Sequence, residues 1–86
     1  MAQYQILYWR HVPAQIKVFA EGGKPISRLL PDRFQAAITK IAMQHGLIGT
    51  DAYLEQWHWT PKRERDGTAE EVADLLIREL EQDTKI

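Results

Sequence analysis

Three tryptophans, three histidines and a handful of arginines are the residues of this chain whose types could recognise a partner or carry chemistry. The histidines are His11, His45 and His58, and no two of them stand four apart, the spacing that sets two ligands on one helix face. There is no cysteine, so thiolate metal sites, disulfides and cysteine nucleophiles are excluded. Ser27, the one serine, falls in a predicted edge strand with no base beside it, and Gly22-Gly23 precedes a strand where a phosphate loop would precede a helix. These readings predict neither a catalytic residue, a metal nor a cofactor, and hence no enzyme. What is left is an aromatic and arginine set, Trp9, Arg10, Trp57, Trp59, Arg63 and Arg65, with Gln15 as a polar companion. Indoles bring large contact area and guanidinium groups bring planar multi-donor recognition, which suits protein contact surfaces. The plainer reading, that tryptophans fill the core of a small domain, applies best to Trp9 and Trp57, whereas Trp59 beside Thr60-Pro61 should be half exposed.

Positioning that set requires strands and helices, and the pattern supplies both. Leu30 to Trp59 is the stretch around which the rest is arranged. Phe34, Ala37, Ile38, Ile41 and Ala42 recur at three- and four-residue spacing, predicting a helix from about Pro31 to His45 that Gly46 stops. Upstream, YQILYW (4–9) and AQIKVFA (14–20) read as strands, separated by a turn or bulge at Pro13, and Lys24 to Leu29 reads as an edge strand after a tight Gly-Gly hairpin. Thr50 or Asp51 can cap one helical turn through Leu54. Glu55 to Thr60 reads as a further strand, which Pro61 lets run to Arg63 only at a sheet edge. Thr68 and Glu71 form a capping box that opens a helix to about Glu81, with Val72, Ala73, Leu76 and Leu80 as its apolar stripe. The order β-β-β-α-β-α predicts a single α+β domain over 1–86: an antiparallel sheet of three to four strands with two helices on one face.

Charge is distributed unevenly. Residues 1–65 hold nine Lys/Arg against five Asp/Glu, and residues 66–86 hold two against seven, for a net charge of −1. Such a near-neutral chain argues against a dedicated nucleic-acid binder. No apolar run is long enough to span a bilayer and no signal-peptide core opens the chain, so a cytoplasmic protein without membrane contact is expected.

The segments YWRHVPAQI (8–16), LPDRFQAAI (30–38), GTDAYLEQWHW (49–59) and DGTAEEVADLLIRELE (66–81) resemble the bacterial conserved virulence factor family, and together they cover most of the chain. The family pattern more often has an acidic residue where this chain has His11. The resemblance implies a bacterial accessory or regulatory protein and brings no catalytic residues. Two helices cannot cover both faces of a sheet whose first strand is apolar on both sides. That surplus predicts a protein-interaction module docking through Trp9, Arg10, Gln15, Trp57, Trp59, Arg63 and Arg65, or a homodimer that pairs its sheet faces. A small-molecule or aromatic-cofactor site and single-stranded nucleic-acid binding are the alternatives.

Overall fold

The computed structural model describes residues 2–20 and 22–84. Its elements in order are β1 (Ala2–Trp9), β2 (Val12–Phe19), β3 (Ile26–Leu29), α1 (Asp32–Gln44), α2 (Asp51–Glu55), β4 (Trp57–Trp59), β5 (Arg63–Arg65) and α3 (Ala69–Asp83). The sheet is wholly antiparallel, ordered β3-β2-β1-β4, with β5 also on β1. The α+β class and element order match the sequence reading, except that the sheet adds a fifth strand, β5, beyond Pro61, where at most an extension of the last strand to Arg63 was expected, so two short strands stand divided where one was predicted.

That division has a local cause. β4 and β5 both pair with the outer edge of β1, and between them Pro61 has no ladder donor to give. Thr60 closes the gap from both sides of the peptide unit: its N–H donates to the Ile6 carbonyl at 2.9 Å, and its hydroxyl accepts the Ile6 N–H at 3.0 Å. The Gln5 side-chain amide donates to the Thr60 carbonyl at 3.0 Å, so the interruption leaves its polar groups paired.

Pro13 lies inside β2, opposite Tyr8, and the strand starts two residues earlier than alternation suggests. A register shift between Leu7 and Tyr8 leaves Ala14 without a partner, which makes this the expected bulge. The turn between β1 and β2 has only two residues, with Arg10 at φ 53°, a left-handed conformation rare outside glycine. The Arg10 N–H donates to the Gln56 carbonyl at 3.1 Å and helps hold it there. By contrast, six residues separate β2 from β3, so the tight Gly-Gly hairpin is not formed; Gly22 still supplies a positive φ, and Glu21 lies outside the described residues.

The core has two parts. Ala2, Ile16 and Val18 meet Ala69, Val72, Ala73 and Leu76 of α3, with Tyr4, Ile6 and Ile26 packed around them. Trp9, Val12 and Leu30 meet Phe34, Ile38 and Ala42 of α1. Ile77 and Leu80 touch both parts and join them. α1 ends in a Schellman motif: Gly46 sits at φ 66°, its N–H donates to Met43, and the Leu47 N–H donates to Ala42 at 2.8 Å. Pro31 precedes the helix as its N-cap without a side-chain cap. In α3 the Glu71 N–H donates to the Thr68 hydroxyl at 3.2 Å and the Thr68 N–H to the Glu71 carboxylate at 3.3 Å. Thr68→Ala breaks that reciprocal pair, and urea denaturation of the variant is expected to show a loss of about 1 kcal/mol.

Candidate functional site

Residues directly opposite each other in an antiparallel ladder share a face, so the register assigns side chains to sides of the sheet. The pairs Ile6–Ile16 and Tyr4–Val18–Ile26 carry core residues, which makes theirs the helix side. The alternate rows belong to the other side. One of them runs across four strands, Leu29–Gln15–Leu7–Trp59. Leu29 is 77% exposed and Trp59 43% exposed, while Leu7 and Gln15 are half-buried and none of the four joins either core part. The next rows are Ser27–Lys17–Gln5 and Phe19–Gln3–Glu64. Both Lys17 and Lys62 reach the Phe19 ring, with Nζ 5.5 and 4.3 Å from its centroid, so this ring is capped by cations.

Against that frame the tryptophan and arginine set separates. Trp9 is fully buried, and its indole N–H donates to the Tyr53 carbonyl at 2.9 Å. It is core, and the expectation that it lines a docking face is corrected. In the unshifted β1–β4 ladder the pair Trp9–Trp57 follows Leu7–Trp59 by two residues, and both of its indoles pack into the core with α1 and Tyr53 of α2. Trp57 is half-buried against the same core, edge-on to Tyr53 at 6.2 Å between centroids. Arg10 is half-buried with its guanidinium 5.2 Å from the centre of the Trp9 ring. Arg63 pairs with Tyr4 and Arg65 with Ala2, which sets both on the helix side. There the Arg65 guanidinium forms a two-point ion pair with Glu79 of α3. Only Gln15 and Trp59 of the predicted residues meet on the open face. Leu7 lies on one of the two apolar sides expected of the first strand, whereas Leu29 carries no mark in the sequence because it joins the row of Trp59 only through strand order.

Electrostatics mark two places. Partial burial pushes the Tyr8 phenol above the usual tyrosine range, with Arg63 opposing and Tyr4 adding to the shift; the ring also stacks on His58, centroids 5.8 Å apart. The Arg65 hydrogen bond holds the Glu79 carboxyl below its usual range. Stability tied to neutral Tyr8 is therefore present below the unfolded phenol pKa of about 10 and lost as pH rises through the folded value. The contribution of Glu79 is present above the unfolded carboxyl pKa of about 4.3 and lost as pH falls through the folded one. Thermal midpoints measured across pH are expected to flatten on the alkaline limb in Tyr8→Phe and on the acid limb in Glu79→Gln.

Among the described residues no group of three or more metal-ligating side chains comes together. Surface openings lie along the outer side of α1, by Ala36, Thr39 and Met43, and between β3 and α3, by Arg28, Asp74 and Arg78; neither is lined by a tryptophan. Among the described residues no helix is long and apolar enough to cross a membrane.

Fold and surface together define a small α+β domain with one sheet side roofed by helices and the other crossed by an apolar row. Residues 7–85 match the virulence factor family, and the chain belongs to it. No curated protein and no solved structure matches the chain.

Proposed function

We propose that this virulence factor domain is a non-catalytic accessory or regulatory module of the bacterial cytoplasm that docks on a larger protein through its open sheet side. The observation that carries the reading is the row Leu29–Gln15–Leu7–Trp59, whose two most exposed members are a leucine and a tryptophan. Sheets are stable when both faces find suitable neighbours, and large apolar side chains left in water at the two ends of one row are a typical contact site. Sequestering each on binding contributes about 2 kcal/mol, enough for the pair to act as anchors. The net charge of −1 weighs against the single-stranded nucleic-acid alternative.

The test is affinity purification from the native cell at endogenous level, comparing the wild-type chain with Trp59→Ala, Leu29→Ser and, as a control on the far side of the molecule, Met43→Ala. Partners recovered with wild type and Met43→Ala but lost with the two row variants are the expected result. Equal recovery with all four removes the sheet side from consideration.

A further inference from the structure

The open sheet side offers more than apolar anchors, and its charge says what kind of partner it fits. Neighbouring strands lie about 4.8 Å apart, so Leu29 and Trp59 stand about 14 Å apart across three spacings. Along the strands from this row come Lys17 and then the Phe19 ring with Lys17 and Lys62 above it. Against these two ammonium groups the paired rows of this side place one carboxylate, Glu64, and otherwise the neutral Gln3, Gln5, Gln15 and Ser27. The imbalance extends to the whole molecule. The segments that build the sheet, 1–30 and 57–65, hold seven Lys/Arg against two Asp/Glu, whereas the α3 segment, 66–86, holds two against seven. Of those seven, Arg28, Arg63 and Arg65 lie on the helix side, so the positive charge of the open side rests on Lys17 and Lys62; with α3 acidic on the far side, that field draws an acidic partner toward the open side and away from α3.

Resting on the docking reading of the same face, we propose that its occupant is an acidic segment of another protein, carrying large apolar side chains that seat at Leu29 and Trp59 while its carboxylates meet Lys17 and Lys62. A second copy laid sheet to sheet is disfavoured, because it sets four ammonium groups against two carboxylates in one contact. Head-to-tail stacking of α3 on the next copy's sheet satisfies the charges but does not close, and grows into chains.

Panning random linear peptides on the immobilised full-length chain at low salt tests this, with fluorescence anisotropy on the enriched peptides. Peptides rich in Asp/Glu with Leu, Phe or Trp are expected, and their affinity should fall about tenfold between low and physiological salt. Trp59→Ala and Leu29→Ser should each weaken them about tenfold, as should Lys17→Glu/Lys62→Glu, with far-UV circular dichroism confirming the fold and Lys62→Gln as the gentler variant. Enriched peptides that are neutral or basic, depend on Trp59 and ignore both lysine variants overturn the acidic assignment and leave the docking reading standing. Peptides that ignore Trp59 and Leu29 overturn both. Light scattering that shows concentration-dependent chains of the protein alone, broken by Lys17→Glu/Lys62→Glu, overturns the assignment in favour of self-stacking.

Discussion

Trp9→Ala is expected to remove about 3–5 kcal/mol of folding stability, the range for truncating a buried aromatic ring. The indole is fully buried between β2, α1 and α2, and its ring centroid lies 5.6 Å from that of Tyr53. Truncation opens a cavity that α2, a five-residue helix with no buried residue of its own, cannot close by collapse. It also removes the shorter of two hydrogen bonds to the Tyr53 carbonyl, which accepts the indole N–H at 2.9 Å and the Gln56 N–H at 3.4 Å. Trp9→Phe, which keeps most of the ring volume and loses that one hydrogen bond, should show a smaller loss of about 0.5–1.5 kcal/mol. At about 0.05–0.15 kcal/mol per residue a domain of this length has roughly 4–13 kcal/mol in total. Urea titrations followed by far-UV circular dichroism should therefore find Trp9→Ala near the edge of unfolding. A midpoint equal to wild type would mean that the indole is not core and would return it to the docking surface.

What the sequence disclosed follows from which interactions are local. Both long helices were legible because their signals lie within a few residues: Thr68 with Glu71 at one start, Gly46 with Leu47 at one stop, and the apolar spacing between. β2 was legible because Ile16 and Val18 keep the two-residue period against Lys17. β1 was legible as a strand but not in its sides, since Tyr4 to Trp9 is apolar on both and the choice is made by pairing Tyr4 and Ile6 with Val18 and Ile16 of β2. A turn after Trp9 was expected, but not its left-handed arginine, which has no compositional mark and is favoured by a carbonyl at Gln56, far along the chain. The candidate site was the least legible part. Leu7, Leu29 and Trp59 share a row only because β3 and β4 flank the first hairpin on opposite edges, while Arg63 and Arg65, close to Trp59 in sequence, come out on the other side of the sheet beyond Pro61. Residue type marked the tryptophans and arginines as noticeable, and register then separated them.

The two-part core also sets where damage should spread. Phe34→Ala is expected to cost about 3–5 kcal/mol, because the ring is almost wholly buried at the start of α1 and its neighbours are already held in place. The Arg33 guanidinium lies 5.2 Å from the Phe34 ring centre and 3.5 Å from the Glu81 carboxylate, but both groups are partly exposed and offset little of the loss. Ile77 and Leu80 contact this part and also the part under α3, so they transmit the defect. Combining Phe34→Ala with Leu80→Ala should give a change that departs from the sum of the singles by about 0.5–3 kcal/mol, the range for residues sharing a packed site. Leu75→Ala, on the partly exposed side of α3, should by contrast shift stability by no more than about 0.5 kcal/mol and add independently. If Phe34→Ala and Leu80→Ala instead prove strictly additive, the two parts of the core fold as separate units, and the sheet alone holds the helices in one domain.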